Sequence, residues 1–404
     1  MATLYPFRAL RPPARLAGEV ASPPYDVIST AEARTLARGK PDSFLRVSRP
    51  EVDLPEGTDE HAEPVYARGA ENLTELVRRG VLVQDPEPRL HVYAQVMGGH
   101  RQVGLVGCAS VAEYDADVIR KHEKTRADKE DDRVHHVDTL GAHDEPVFLT
   151  YRADREIDAV VAAVTAGKPE VDLTTADGVR HTTWVVPADA GARIQARMAA
   201  IPTLYVADGH HRSAAASRVH ARRRGTPGEH DRFLAVVFPH DQMQILAYNR
   251  LLRDPKGRSP EALLEALRAR LDVVPATDPR PEGPLSFGVY AAGRWWRAKV
   301  RPGTYDAKDP VASLDCDLAQ NQILAPIFGI DDPRRSKDVD FVGGIRGAAE
   351  LEKRVREEGW SMALHLFPTR VEQVMAVSDA GLIMPPKSTW FEPKLRSGLF
   401  VHAF

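Results

Sequence analysis

The chain has 404 residues, room for two domains, with 54 basic and 57 acidic side chains and a net charge of −3. That balance supplies no global basic field for nucleic acid or acidic membranes, and two cysteines, Cys108 and Cys316, cannot build a zinc ribbon or a disulfide framework. No stretch approaches about 20 consecutive apolar residues, and Met1 to Val20 is broken by Pro6, Pro12 and Pro13, so the expected setting is a reducing cytoplasm, with no membrane or nucleic-acid partner.

The first thirty or so residues read as extended, because Pro23 and Pro24 in Ser22-Pro23-Pro24-Tyr25-Asp26-Val27-Ile28 remove backbone donors. Ser29 or Thr30 caps a helix that Gly39 closes. Ser43 to Val47 alternates like a strand, and Pro64 to Arg79 has helical periodicity (Tyr66, Leu73, Leu76, Val77) with Gly80 as its stop. Arg89–Val96 and Gln102–Ala109 flank Gly98-Gly99-His100, a hairpin signal.

A polar block follows, Val118 to Arg126 and then Asp128 to His136. A charge run is ordinarily a solvated helix face. Here His122-Glu123-Lys124-Thr125 combines a base, a carboxylate, an ammonium and a hydroxyl, and His135, His136, His143, Asp144 and Glu145 add more titratable groups. No segment has helical metal-ligand spacing of the H-E-x-x-H type, so no dedicated transition-metal centre is expected.

Strands are expected at Glu145–Tyr151, His181–Val186, Phe233–Phe238 and Ile245–Leu252, and helices at Ile157–Ala166 and Gly191–Met198. The strand ending in Pro239-His240-Asp241-Gln242 suits either chemistry or a hydrogen-bonded turn. Beyond two soft linkers lie an amphipathic helix (Leu263, Leu264, Leu267, Leu271), a hairpin around Gly293, a helix at Ser313–Ile323, strands at Phe341–Ile345 and Ser361–Phe367, and helices at Ala348–Glu358 and after Thr369. Gly381 to Ser388 nearly spells a P-loop, but Pro386 stands where the second glycine belongs and has no N–H to cradle phosphate. Lys387, Ser388 and Lys394 either touch phosphate as side chains or lie in solvent while Trp390 and Phe391 pin the tail.

The most informative stretch is Thr203 to Val219. A strand, Thr203-Leu204-Tyr205-Val206, runs through Ala207-Asp208-Gly209-His210-His211-Arg212 into a small-residue helix from Ser213. A strand–turn–helix junction aims free N–H groups and a positive dipole end at an anion. Gly209 permits the turn, and Arg212 offers a planar fork to phosphate oxygens. The plainer alternative is a helix capped by Asp208, with His and Arg on the surface.

Five blocks together resemble the family filed as domain of unknown function 1015: Pro23 to Ile28, His122 to Thr125, Ala207 to Arg212, Phe238 to Gln242 and Pro386 to Lys394. Asp208 to Arg212 opening a helix is also similar to the nucleotide-phosphate motif of the ParB/sulfiredoxin-like superfamily, which includes CTP-hydrolysing ParB proteins, ATP-using sulfiredoxins and free serine kinases. That second resemblance implies an α/β fold of mixed sheets, a nucleotide-binding core elaborated by a second α/β segment, with domains at 1–252 and 253–404 and a tail that returns to the site. It implies a phosphotransferase for a small hydroxylated metabolite, serine being one candidate, using ATP or ADP with Mg²⁺. The alternatives are a nucleotide-binding regulator without turnover and a metal-dependent hydrolase built on His122, Glu123, His135, His136 and His240. In the kinase reading Gly209, His210, His211 and Arg212 hold phosphate, with Lys124 and Lys387 as further cations. Asp208 organises Mg²⁺ or the acceptor hydroxyl. Glu123 supplies the carboxylate that serine kinases place far upstream of the motif, and His122 adds a base beside it.

Overall fold

Long runs of β-branched and aromatic residues build the core of the first unit. Val103 to Ser110 and Phe233 to Phe238 are buried on both faces, as expected of strands sandwiched between layers. The computed structural model describes all 404 residues and divides into two compact units, Met1–Met243 with Pro393–Phe404, and Gln244–Glu392. The division falls before Gln244 rather than after Leu252, and the C-terminal segment is part of the first unit.

The first unit holds a nine-stranded mixed sheet. Its strands are β1 (Leu4–Tyr5), β2 (His91–Met97), β3 (His100–Ser110), β4 (Ile119–Arg120), β5 (Val147–Tyr151), β6 (Val171–Thr174), β7 (Arg180–Val185), β8 (Leu204–Asp208) and β9 (Arg232–Pro239). Their order is β4-β8-β5-β9-β3-β2-β7-β6, with β1 alongside β3. Helices α1 (Glu63–Arg78), α2 (Ala127–Leu140), α3 (Arg155–Thr165), α4 (Ala188–Met198) and α5 (His210–Arg222) pack around it. Leu4, Leu105, Leu149, Ile194, Val206 and Val237 share one core cluster, each such side chain contributing roughly 1.5–3 kcal/mol on burial. Val134 and Val137 of α2 meet Ala215 and Val219 of α5 in a smaller one. The small side chains of α5 let the two helices close together.

Strand directions decide what meets at the sheet edge. β8 is parallel to β4 and antiparallel to β5. The ends of β4 and β8 and the start of β5 therefore lie at one edge, and there the chain presents His122–Thr125, Gly209–His211 and Asp144–Pro146. β9 runs parallel to β5, pairing Pro239 with Tyr151 at that strand's end. His240 accordingly lies at the opposite edge from Asp208, where its Nδ1 accepts from the Ala153 amide at 3.1 Å. The hydrolase alternative, which groups His240 with His122, is corrected by this parallel pairing.

The second unit carries a six-stranded sheet. Its strands are β10 (Tyr248–Leu252), β11 (Leu271–Pro275), β12 (Ser286–Ala291), β13 (Arg294–Val300), β14 (Val339–Gly343) and β15 (Met362–Leu366), in the order β11-β13-β12-β15-β10-β14. Four local readings change. Ser43–Val47 is not a strand: Leu45–Ser48 is a helical turn, a short buried run whose periodicity could not choose between the two. The strand expected at Ile245–Leu252 breaks at Ala247, whose carbonyl accepts from the Gly344 amide at 2.7 Å. The helix from Asp315 widens into π-helical turns over Gln320–Phe328, which contain Pro326. The helix Val371–Asp379 starts one residue later than a Thr369 cap predicts, because the Thr369 hydroxyl is committed to the Ser388 carbonyl at 2.9 Å.

Candidate functional site

Gly209 turns the chain from β8 into α5 with φ +94°. A Cβ there would also stand 3.1 Å from the Arg212 guanidinium carbon, so both backbone and space select glycine. The first amides of α5 have no intrahelical acceptor and carry the positive end of the helix dipole. Asp208 is not a helix cap reaching to the second or third residue; its Oδ1 accepts from the adjacent Gly209 amide at 2.8 Å.

Asp208 Oδ2 meets Lys394 Nζ at 2.9 Å, and Arg212 Nη2 lies 3.9 Å from its Oδ1. Burial acts to raise its pKa, but Lys394 and Arg212 outweigh that and hold the carboxyl well below the usual range. Asp208 is thus an anion between two cations, suited to organising a metal or hydroxyl only as the ionised form.

Arg212 is buried. Its Nη1 donates to the Pro146 carbonyl and its Nη2 sits 3.7 Å from Asp26 Oδ2. Nη1 and Nη2 are directed at protein groups while Nε has no partner, so Arg212 braces the junction. His211 is half-buried, and its Nε2 accepts from the Arg126 amide at 3.2 Å. That bond ties the loop after β4 to the start of α5.

Of the polar block, Val118 to Arg126 is a strand and a loop, whereas Asp128 to His136 lies within the helix α2. In the loop, His122 is buried while Glu123 and Lys124 are exposed. The His122 ring packs edge-on against His210, with centroids 4.4 Å apart at 87°. Nε2 of His210 meets no hydrogen-bond partner, and the His122 ring has at most the Val206 backbone beside it. Burial lowers the His122 pKa to about 4 and drives His210 well down, with His122 adding to the latter effect. Both rings are therefore neutral near pH 7.

Glu145, in the segment before β5, is a buried carboxylate in an unusual environment. Its Oε1 accepts from the Tyr25 amide at 3.0 Å and the Ser397 hydroxyl at 2.7 Å. Its Oε2 has no partner. Burial pushes its pKa up to about 7, opposed by Arg212 and aided by Asp144 and Asp26. Beside it is a cavity of about 10 Å³, room for about one water, lined among others by Tyr25, Arg133, Asp144 and Arg212. Arg133 lies 4.0 Å over the Tyr25 ring.

Asp208, Gly209, His210, His211 and Arg212 thus share one edge with His122, Glu123 and Lys124. Lys387 belongs to the second unit. It is exposed there, its carbonyl accepts from Arg250 at 3.0 Å, and its Nζ is 5.6 Å from the Tyr248 ring. The segment after it enters the strand Trp390–Glu392, not a helix, as a failed P-loop should. His135 pairs with Glu63 at 2.9 Å, and His136 with Asp144 at 3.1 Å. Sequence reasoning offered Lys394 only as one of two readings of the tail, phosphate contact or solvent, and did not select Asp26 or Glu145 for the site. Lys394 and Asp26 stand in blocks that carried the family resemblance, which was a usable signal; Glu145 had none beyond its charge.

The family described as protein of unknown function (DUF1015) matches residues 4–317. The chain belongs to that family. Among curated proteins no sequence matches this DUF1015 chain. In fold it is similar to a free serine kinase in complex with AMP, at 12% identity and TM-score 0.36, covering 73% of this chain and 92% of that one. It is similar to SbnI with a C-terminal truncation from Staphylococcus aureus, at 12% identity and TM-score 0.39, covering 74% and 87%. A conserved hypothetical protein from Pyrococcus furiosus is similar at 13% identity and TM-score 0.36, covering 74% and 95%. No helix of the chain is long and apolar enough to cross a membrane.

Proposed function

We propose that this protein is a nucleotide-dependent phosphotransferase acting on a small hydroxylated metabolite, with serine as the first acceptor to try. One observation carries the reading. A helix N-terminus with no side-chain cap, after a positive-φ glycine, adjoins a carboxylate held ionised between Lys394 and Arg212. The amides of His210 and His211 supply donors for phosphate oxygens, and exposed Lys124 is available as a further cation. Asp208 holds Mg²⁺ or the acceptor hydroxyl. Glu123 receives the acceptor proton, since phosphoryl transfer asks mainly for positioning and charge neutralisation. The nucleotide, ATP or ADP, supplies the phosphoryl group. Arg212 acts through Asp208 and the Pro146 carbonyl rather than on phosphate, which revises the role its guanidinium suggests in sequence.

The test is incubation of the full chain with ATP or ADP, Mg²⁺ and a panel of hydroxylated metabolites including serine, read by ³¹P NMR. A new phosphomonoester that falls about 10²-fold or more in Asp208→Asn supports the reading. Nucleotide binding without product from any acceptor favours a regulator, and equal product from Asp208→Asn removes the assignment of that residue.

A further inference from the structure

His122, Glu123 and His210 raise a second question. Polar groups buried without partners are uncommon, each costing about 1–3 kcal/mol. Here two imidazoles, 2% and 6% exposed, face one another; His210 Nε2 has no partner, and His122 has at most the Val206 backbone. Edge-to-face contact with a π system is a weak substitute for a hydrogen bond. Exposed Glu123 lies against the pair, and one donor atom from each residue lies within 4.8 Å of the others. Ligand atoms around a tetrahedral Zn²⁺ are separated by roughly 3.4 Å, given bond lengths of about 2.0–2.2 Å. Rotation of the exposed Glu123 side chain and a small ring movement close the difference.

We propose that His122, Glu123 and His210 form a site for one first-row divalent cation of Zn²⁺ type. Two neutral imidazoles and one carboxylate are a donor set that suits Zn²⁺ far better than Mg²⁺, which requires oxygen ligands. Three protein ligands leave a fourth position for water, the arrangement of a site that acts on a ligand rather than one closed for structure. The cation would stand beside the Asp208–His210 junction yet use different atoms from those assigned to Mg²⁺. Sequence spacing cannot reveal it, because the two histidines come from the ends of parallel neighbours, β4 and β8, that are far apart along the chain. The proposal needs no nucleotide and stands if the phosphotransferase reading fails; the two meet at Glu123, which cannot hold the cation and take the acceptor proton at once, so a loaded site would lower phosphoryl transfer.

The test uses the untagged full chain, treated with chelator and titrated with Zn²⁺ and, for its visible absorption, Co²⁺, without nucleotide. One equivalent should bind, with four- or five-coordinate Co²⁺ bands, and should raise the melting temperature; Mg²⁺ in excess should not displace it. Glu123→Ala, at an exposed position, should weaken binding at least 10-fold, and His122→Asn, checked for folding by circular dichroism, should abolish it. His220 and His230, whose Nδ1 atoms lie 3.1 Å apart, are the competing histidine pair, so His220→Ala should leave the stoichiometry unchanged. Absence of Zn²⁺ binding overturns the proposal, as does binding undiminished in both Glu123→Ala and His122→Asn, or binding lost in His220→Ala.

Discussion

Lys394 Nζ lies 2.9 Å from Asp208 Oδ2, joining the end of β8 to a lysine 186 positions later. The C-terminal segment is threaded through the first unit to make this contact. The Lys394 carbonyl accepts from Gln95 at 2.8 Å, Ser397 bridges to Ser22, and Val401 to Leu10. Lys394→Met should therefore cost function more than stability. The pair is partly exposed, with side chains 18% and 26% accessible, so its loss should lower stability by about 1 kcal/mol or less. Turnover, or nucleotide affinity if there is none, should fall about 10-fold or more. Chemical denaturation and the ³¹P assay on the same preparation check both.

Gly209→Ala places a Cβ at φ +94° and 3.1 Å from the Arg212 guanidinium. A strained left-handed residue costs roughly 1–3 kcal/mol. We expect a lower denaturation midpoint with an unchanged denaturant slope, and weaker nucleotide binding by calorimetry, because the helix N-terminus must shift.

Arg212→Lys keeps the charge and removes the fork. The buried guanidinium reaches Pro146, Asp26 and Asp208 from one plane, which a lysine cannot do. Stability should fall by about 2–4 kcal/mol. The phosphate-binding defect should be no larger than expected from disordering Asp208, in keeping with a bracing rather than a contacting role. Comparing the nucleotide affinities of Arg212→Lys and Asp208→Asn checks this.

Glu145 gives a pH signature. Its folded pKa is about 7 against an ordinary 4.5. The folded chain therefore holds a proton that the unfolded chain has released between these values, and stability from this group is lost as pH rises through the window. Glu145→Gln removes that dependence. Relative to the parent chain, the variant should gain on the order of 1–3 kcal/mol as pH rises from about 5 to 8. Melting curves across that range check it; a parallel offset at all pH values would contradict the environment described for Glu145.

Much of the fold was legible because its long elements carry clean periodicity. Helix α1, the hairpin of β2 and β3, the strand β9 and the junction of β8 with α5 lie within a few residues of where alternation and glycine stops put them. The exceptions are informative. Leu45–Ser48 is too short and too buried for periodicity to distinguish helix from strand, and the π-helical turns at Gln320–Phe328 have no signature in spacing. The candidate site was legible as two separate stretches, His122 to Lys124 and Asp208 to Arg212, but not as a single place. Their meeting depends on strand direction. Parallel pairing of β4 with β8 brings His122 to His210, while parallel pairing of β9 with β5 carries His240 away. The partner of Asp208 required knowing where the C-terminal segment runs, which no local pattern records.

The central claim is that the helix N-terminus at Gly209–His211 receives nucleotide phosphate. A crystal structure of the full chain grown with ADP and Mg²⁺ tests it most directly. The account predicts phosphate oxygens within hydrogen-bonding distance of the His210 and His211 amides, with Asp208 still ionised beside Lys394 or turned to the metal. A nucleotide bound away from this junction, or none bound at millimolar ADP, would contradict it.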